Sequence, residues 1–362
     1  MDVLKPPIVN IGGRLYRKNP LSQTNQSWNE AEEDEVPYVE DDIACDDGPC
    51  GLDDIKHTEK GYEIKMDVPS GFYGLIIGKK GETKRRIETE TNAKIFVPKG
   101  QQEEEITINS EARKNVIAAR DRIALLVESA RQRQPFTHFL SIPLVTPETK
   151  EAVQQFKSDV LSSCSESEGL DETMFQKPEH LHLTLGTLVL MNKHEVEKAT
   201  ILLHKCKTDI ISAILQNQPL ELSISGLEYM NDDPAQVDVL YCNVQPTDNS
   251  NKLQLLADSL VEQFVSEGLM QRQYDRVKIH GTLINSLFNK EPDGEKGNWD
   301  KGRGKGYRKE QKKRKSFNAR SILEIFSDYN FSTCHLDEIH ISVKGSNSEN
   351  QFYRNEGFIS LQ

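Results

Sequence analysis

The 362-residue sequence lacks any long apolar run. No stretch approaches the roughly 20 consecutive apolar residues that a transmembrane helix needs. The first residues also lack the basic start and apolar core of a signal peptide, so we expect no membrane contact. Cysteine is scarce: the chain has six, and none forms a C-x-x-C pair. This argues against a disulfide framework and favours reduced intracellular thiols.

Residue types that bind metals are present, but they lack the right spacing. No group of His, Asp and Glu has metal-ligand spacing. Cys45 and Cys50 are loosely metal-like in spacing, but no second pair is nearby. We therefore predict neither a metal nor another cofactor.

Lysine and arginine are missing from residues 19–55, where acidic residues account for most of the net charge of −12. Low apolar content and high charge predict that residues 1–55 form an acidic, mostly disordered tail. Residues 7–17 are more apolar, and two interpretations stay open for them: a peptide that folds onto a partner, or a floppy terminus. Because basic residues concentrate elsewhere, the acidic average does not exclude binding to nucleic acid.

Two short stretches, far apart in the chain, share the core His-x-Thr-Leu. The first contains His182 and Thr184, and the second contains His280 and Thr282. Residues two apart on a β-strand point to the same side, so two such strands side by side would present two imidazoles and two hydroxyls to one cleft. One imidazole can take a proton from a nucleophile while the other gives one to a leaving oxygen. The hydroxyls can hydrogen-bond the non-bridging oxygens of a phosphodiester.

A single His-x-Thr strand is usually no more than a polar pair that faces solvent, but two copies in apolar runs favour an active cleft. The pair resembles the signature of the two-histidine phosphodiesterase superfamily. That superfamily includes RNA ligase-like cyclic phosphodiesterases and the nuclear-localisation-signal domain of a protein kinase A anchoring protein. The resemblance implies that residues 134–362 form a bilobal fold with pseudo-twofold duplicated lobes. It also implies that His182, Thr184, His280 and Thr282 are catalytic without a metal; which histidine is the acid stays open.

Residues 61–133 predict the order β-α-α-β-β-α, with Gly78-Lys79-Lys80-Gly81 between the first two helices. The order of the elements, the length of the segment and the Gly-x-x-Gly loop together resemble a type I KH domain, which here spans residues 56–133. In that family the Gly-x-x-Gly loop lies against the nucleic-acid backbone, so the resemblance implies that this loop contacts single-stranded RNA. It also places three residues near the groove for unstacked bases, with burial in the core as the alternative for each: Ile76, Ile77 and Ile95.

A basic insertion, residues 289–320, follows the second motif. A charge run of this kind is usually a solvated loop, but its position also fits an electrostatic funnel for nucleic acid. Its compact cluster fits a nuclear localisation signal as well, and both roles can hold together. The cluster consists of Lys312, Lys313, Arg314 and Lys315.

Nearly the whole chain, including residues 134–140 and 228–234, resembles a family of subunits of the helicase-containing activating signal cointegrator complex. The resemblance implies an α+β protein that is nuclear, with a cytoplasmic pool also allowed. It further implies a partner complex linked to transcription coactivation and alkylation-damage repair. Two functions stay open. One is an RNA phosphodiesterase that acts on RNA ends or cyclic phosphates, and the other is a non-catalytic subunit whose cleft only holds a nucleotide or phosphate.

Overall fold

The computed structural model describes residues 8–11, 14–17, 55–59, 61–98, 105–289, 315–346 and 352–361. The chain divides into two compact units, Met1–Gln134 and Pro135–Gln362. Within the described residues, no helix is long and apolar enough to cross a membrane.

The first unit consists of a two-stranded pair, a four-stranded sheet and three helices. Its elements are β1 (Ile8–Ile11), β2 (Arg14–Arg17), β3 (Lys56–Thr58), β4 (Gly61–Met66), α1 (Tyr73–Ile77), α2 (Glu82–Thr91), β5 (Lys94–Phe96), β6 (Ile106–Ser110) and α3 (Arg113–Arg131). The antiparallel sheet has the order β3-β4-β6-β5. From β4 onward the chain follows the predicted order β-α-α-β-β-α.

Apolar side chains at strand and helix spacing explain why this unit folds. Alternate residues of β6 turn inward, so Ile106 and Ile108 are fully buried. Helix α3 carries Val116 and Ile123 seven residues apart on one face, and both are also fully buried. The helix therefore covers the sheet with a continuous apolar stripe.

Part of the tail predicted to be mostly disordered is ordered in the structure. Strand β1 pairs antiparallel with β2, with Ile8 opposite Arg17. Ile8, Val9 and Ile11 are β-branched and favour an extended backbone, a local preference that the acidic composition of the segment concealed. The other residues between 1 and 54 lie outside the described residues, and their disorder stays a prediction.

The second unit is built on one eight-stranded antiparallel sheet. Its elements are β7 (His138–Pro143), α4 (Pro147–Ser163), β8 (His182–Leu188), α5 (Lys193–Cys206), α6 (Ser212–Leu215), β9 (Glu221–Met230), β10 (Val239–Pro246), α7 (Lys252–Ser266), β11 (Gly281–Asn285), α8 (Arg320–Phe326), β12 (Asn330–His335), β13 (Glu338–Val343) and β14 (Asn355–Ser360). The sheet order is β12-β9-β10-β11-β8-β7-β13-β14. The two motif-bearing strands, β8 and β11, are therefore neighbours at the centre.

The two halves of this sheet match each other around that centre. Each motif strand follows a strand and a helix in the chain, as β7-α4-β8 and as β10-α7-β11. The ladder beside each motif strand shifts register at the corresponding place, between Leu140 and Ser141 in one half and between Leu240 and Tyr241 in the other. These matches indicate an internal duplication with the cleft residues at the junction of the halves.

The structure corrects the predictions for the end of the chain. Strands β12 and β13 follow one another in the chain but join opposite halves of the sheet, because β12 pairs with β9 and β13 pairs with β7. The predicted insertion does not extend to residue 320. Phe317 is fully buried, and its backbone exchanges two hydrogen bonds with Val237. The basic composition before Phe317 concealed this return to the core, and α8 and β14 were not predicted.

Candidate functional site

Strands β8 and β11 pair at one position, where Leu183 lies opposite Gly281. In the register that this pair sets, His182 corresponds to Thr282 and His280 corresponds to Thr184, and Thr184 and His280 line the same cavity. All four side chains therefore share one face of the sheet, while Leu183 turns to the core. The structure thus brings together the four predicted catalytic residues.

Gly281 allows the start of β11 to lie close against the core behind it. A Cβ at this position would lie 2.7 Å from Cys242 Sγ and also contact Leu181 and Leu144. Any larger residue would push the second motif away from the core behind it. Beyond this pair, β11 contacts a different segment: the Gln176 amide donates to the Leu283 carbonyl at 2.7 Å. The two motif strands therefore diverge from their single meeting point.

Both imidazoles are oriented in the same way. His182 Nδ1 lies 2.6 Å from the His180 carbonyl oxygen, and His280 Nδ1 lies 2.7 Å from the Lys278 carbonyl oxygen. Because a carbonyl can only accept, each Nδ1 carries the proton and each Nε2 is left as the basic nitrogen of the neutral ring. Nε2 of His182 lies 3.1 Å from the Thr184 hydroxyl.

Both histidines are weaker bases than usual. Burial, the largest cause, and the nearby charge of His280 lower the pKa of His182 to about 4, although the His180 carbonyl acts in the opposite direction. Burial also lowers the pKa of His280, against the effect of its carbonyl partner, and the Lys278 ammonium lowers it further. In the unliganded cleft both rings are therefore neutral near neutral pH.

An aromatic wall surrounds His182. The rings of Phe139, Tyr353 and Phe352 have centroids 5.2, 5.3 and 6.3 Å from the His182 ring. His180 lies two residues before His182 but does not continue its strand. Instead it is buried in the short 3-10 turn Pro178–His180 and stacks on Tyr353 at 4.4 Å. The turn, which Pro178 initiates, removes it from the strand register.

The surroundings of His280 are more polar. Tyr241 stands edge-on to the ring at 5.4 Å and donates its hydroxyl to Glu228 at 2.8 Å. That hydrogen bond, and a second one from Asn243, hold the pKa of Glu228 below its usual range. The ammonium of Lys278 lies 4.9 Å from the centre of the Tyr241 ring. The Lys278 ammonium therefore acts on this histidine, and the Glu228 carboxylate lies one side chain further out, beyond Tyr241.

A cavity of about 350 Å³ opens beside the second motif. Thr184 and His280 both line it, while Gly186 and Met270 contribute to its apolar part. The rest of its wall carries polar side chains and charges of both signs that were not predicted as site residues: Arg272, Gln273, Tyr274, Arg276 and Lys278, together with Asp258, Glu262 and Asp275. The alternation of basic residues with an exposed tyrosine directly before the motif was a sequence signal that could have found them.

The Gly-x-x-Gly loop is a tight turn whose backbone enters the left-handed region. Gly78 and Gly81 have φ values of 71° and 79°, where glycine has no steric penalty, and Lys80 shares this region at φ 54°. Lys79 and Lys80 are both exposed. A Cβ on Gly78 would overlap the Thr83 side chain at the start of α2. The loop therefore presents two cations and a bare backbone to solvent.

The predicted groove residues need correction. Ile76 and Ile95 are 0% and 1% exposed, so both side chains belong to the core and cannot touch a base. Ile77 is 37% exposed and can line a surface. Two exposed apolar neighbours were missed, Leu75 at 39% and Phe96 at 57%. Residues next to each other on a helix or strand point in different directions, and the sequence alone did not fix which one faces outward.

The basic cluster falls mostly outside the described residues. Lys312, Lys313 and Arg314 lie there, and Lys315 is described as exposed. Within the part of the chain that the structure describes, no group of three or more His, Cys, Asp or Glu side chains could hold a metal ion.

Comparison with known proteins gives two family matches. The AKAP7 2'5' RNA ligase-like domain matches residues 136–361, and the KH domain matches residues 63–125. The chain is similar to activating signal cointegrator 1 complex subunit 1 of Mus musculus, with 43% identity over 345 residues and 95% of each chain covered. These matches confirm the predicted KH domain, the phosphoesterase-like domain that follows it, and the whole-chain resemblance.

Two solved structures are also similar to the chain, each at 14% sequence identity. One is a crystal structure of a Thermus thermophilus protein, with 62% of this chain and 97% of that chain covered and a TM-score of 0.36. The other is a crystal structure of a phosphoesterase, with 63% of this chain and 99% of that chain covered and a TM-score of 0.34.

Proposed function

The chain belongs to the family of activating signal cointegrator 1 complex subunit 1, and from that premise we propose that it is an RNA-binding subunit with a two-histidine phosphodiesterase cleft. The cleft acts on RNA ends or cyclic phosphates by acid–base catalysis. The observation that supports this proposal is the matched pair of imidazoles on one face of the sheet, each with Nδ1 tied to a carbonyl and Nε2 left basic.

The low basicity of both rings fits a reaction that begins only when substrate arrives. An anionic phosphate placed between two neutral imidazoles raises the pKa of both, because it stabilises the protonated form. One ring can then hold a proton for the leaving oxygen while the other accepts a proton from the attacking hydroxyl or water. Thr184 and Thr282 would donate hydrogen bonds to the non-bridging oxygens as charge accumulates there.

The cavity beside His280 supports a nucleotide substrate. Its volume of about 350 Å³ is within the range of small-molecule pockets. An apolar floor at Gly186 and Met270 suits the face of a base, and Tyr274, which is 74% exposed, can stack on it. Lys278 supplies positive charge for the phosphates of the strand that leads into the cleft, and Arg272 and Arg276, which pair with Glu262 and Asp258, add guanidinium donors at the same wall.

A non-catalytic role is the second candidate, and the pKa of His182 favours it. With a pKa near 4, that ring is a poor proton acceptor, and almost none of it carries a second proton in the unliganded cleft. A site that only binds the end of an RNA needs hydrogen bonds and cations but no proton transfer.

Hydrolysis of a panel of short RNAs separates the two functions. The panel contains 2'-5' and 3'-5' linkages, with free, phosphorylated and cyclic-phosphate ends. We expect His182→Ala and His280→Ala each to lower turnover by about 10²–10⁴-fold, the usual contribution of a positioned acid or base. The matched control is His194→Ala, on an exposed position of α5. Tight binding of the same RNAs without turnover by the wild-type protein would establish the non-catalytic role.

The KH domain is proposed to hold the RNA strand through its loop lysines. Changing Lys79 and Lys80 together to Asp places negative charge against the RNA backbone and should weaken binding of single-stranded RNA by at least about 10-fold. The matched control is Arg113→Asp with Lys114→Asp, an exposed basic pair on α3 with the same change in charge. Equal affinities for the two double variants, measured by fluorescence anisotropy, would show that the loop does not contact RNA.

The relative is named as a subunit of a complex, and we propose the same setting for this chain: a nuclear cointegrator complex with roles in transcription coactivation and alkylation-damage repair. The basic cluster at residues 312–315 is proposed as its nuclear localisation signal. Exclusion of a reporter fusion from the nucleus after neutralisation of the four residues would support that assignment, and unchanged nuclear uptake would refute it.

A further inference from the structure

Two side chains of helix α7 hold the backbone of the segment that leads to the second motif. Asp258 Oδ1 accepts the Val277 amide at 2.8 Å, and Gln254 Nε2 donates to the Val277 carbonyl at 2.9 Å. Gln254 also donates to both carboxylate oxygens of Asp258, at 3.0 and 3.1 Å. Two side chains one helical turn apart therefore satisfy both the amide and the carbonyl of Val277, as a neighbouring strand would do. We call this pair the α7 clamp.

The residue that the clamp holds lies directly before the group that orients His280. Val277 precedes Lys278, whose carbonyl accepts the proton of His280 Nδ1 at 2.7 Å. This part of the chain lies before the start of β11, so the sheet ladder does not hold it. Fixing the Val277 carbonyl fixes the peptide plane that it shares with the Lys278 amide, and so limits the rotation of the chain toward Lys278.

We propose that Gln254 and Asp258 are positioning residues for His280, which they act on through the backbone of Val277 and Lys278. They touch no reacting atom; they set the carbonyl that decides which ring nitrogen of His280 carries the proton. This inference rests on the proposed function for its consequence in catalysis. The structural part, a helix that controls the tautomer of a motif histidine, can be tested on the ligand-free protein.

The first motif shows what the clamp replaces. Helix α4 carries the same pair at the same spacing, Gln155 and Asp159, at nearly the same distance in sequence before its motif histidine. There the Gln155 amide donates to Asp159 at 2.8 Å on an exposed helix face. The approach to His182 is held locally instead, by the turn Pro178–His180 and by the Leu144 amide, which donates to the Leu181 carbonyl at 3.0 Å. The Gln155–Asp159 pair on α4 therefore serves as an internal control for the α7 clamp.

The clamp also contacts the rim of the cavity. Arg276 Nε lies 3.5 Å from Asp258 Oδ2, so the carboxylate that holds Val277 also anchors a cation proposed to face the RNA. Loss of the Asp258 carboxylate would therefore release both the backbone and the Arg276 side chain. A change at Gln254 releases only the Val277 carbonyl, which makes the two positions informative in different ways.

Nitrogen-15 spectra of the histidine rings in the ligand-free, full-length protein test the proposal. In Asp258→Ala we expect the His280 signals to move from the Nδ1-protonated tautomer toward a mixture, while the His182 signals stay as in the wild type. Gln254→Leu should produce a smaller change of the same kind. The controls Asp159→Ala and Gln155→Leu should leave both rings unchanged.

Kinetics supply the second measurement. We expect Asp258→Ala to lower kcat by up to about 100-fold, because misplacement of a catalytic group acts on the chemical step, and also to raise KM, because the same change releases Arg276. Gln254→Leu, which leaves the Asp258–Arg276 pair in place, should lower kcat less and leave KM nearly unchanged. An unchanged His280 spectrum in a folded Asp258→Ala protein overturns the proposal, and if that variant does not fold, the spectrum of Gln254→Leu decides in the same way. Because the spectra need no turnover, an inactive wild-type protein would overturn the proposed function and leave this test valid.

Discussion

The two His-x-Thr motifs have the same reacting groups in different surroundings. In both, Nδ1 of the histidine meets a carbonyl two residues earlier, and a tyrosine ring stands edge-on to the imidazole. His182 lies against an aromatic wall, whereas His280 lies beside Tyr241, the Lys278 ammonium and an open cavity. Duplication therefore accounts for the shared chemistry, and the contacts acquired by each copy account for the difference.

That difference separates the roles of the two rings. The drier ring loses more basicity, and the pKa of His182 falls to about 4. Two equal titratable groups whose environments move their pKa values apart are suited to opposite tasks. We expect His280, which faces the cavity and the incoming phosphate, to be the ring that gains a proton when substrate binds.

The largest effect is expected from enlarging Gly281, the residue of the second motif that pairs with Leu183 of the first. Gly281→Ala places a methyl group 2.7 Å from Cys242 Sγ. We expect this substitution to lower the free energy of unfolding by about 1–3 kcal/mol and to abolish activity, because overpacking displaces β11. Urea unfolding of the full chain measures the first effect.

A second variant tests the cause of that loss. Removal of the sulfur in Cys242→Ala, combined with Gly281→Ala, should recover part of the stability. A Gly281→Ala protein as stable and active as the wild type would show that the strands tolerate more separation than the structure implies.

The pH dependence of stability tests the difference between the two histidines, because burial affects their pKa values unequally. A histidine whose folded-state pKa is lowered remains neutral while the unfolded chain takes up a proton, so stability falls as the pH drops from about 6.5 toward about 4. We expect the wild type to lose about 1–2 kcal/mol of unfolding free energy through His182 between about pH 7 and pH 5. His182→Gln should remove this loss, and His280→Gln should remove less. Equal acid sensitivity of the two variants would contradict the different degree of burial.

The smallest expected effect is the difference in stability between the variants Tyr241→Phe and Tyr353→Phe. The Tyr241 hydroxyl donates to a carboxylate, whereas the Tyr353 hydroxyl hydrogen-bonds the neutral Gln176. Hydrogen bonds to charged groups contribute more, so Tyr241→Phe should cost about 1–2 kcal/mol and Tyr353→Phe about 0.5–1 kcal/mol. Tyr241→Phe should also raise the pKa of Glu228, which an NMR titration of that carboxyl measures. A Glu228 pKa that does not move would show that Asn243 alone keeps it low.

Local patterns carried most of the successful predictions. The repeated His-x-Thr pair and the Gly-x-x-Gly loop are short, and each owes its geometry to strand alternation or to glycine dihedrals. For Ile76 and Ile95 the sequence left the groove and the core both open, and their burial favours the core. Phe317, at the end of a basic stretch, pairs with Val237 across a long stretch of chain, a contact that no local pattern contains. The same is true of the α7 clamp, whose sequence pattern also occurs on α4 without the contact.

The single meeting point of β8 and β11 has a mechanical consequence. Each motif strand is joined to the outer neighbour in its own half by a ladder of at least four residue pairs, but the two are joined to each other by only one, Leu183 with Gly281. We expect the boundary between β8 and β11 to be the most easily deformed part of the sheet. Backbone amides along it should exchange their hydrogens sooner than those of β7 or β10. The two imidazoles stand on opposite sides of it. A slight rocking of one half against the other would therefore change their separation directly, so that the cleft can widen for a phosphate and narrow around it while both cores stay packed.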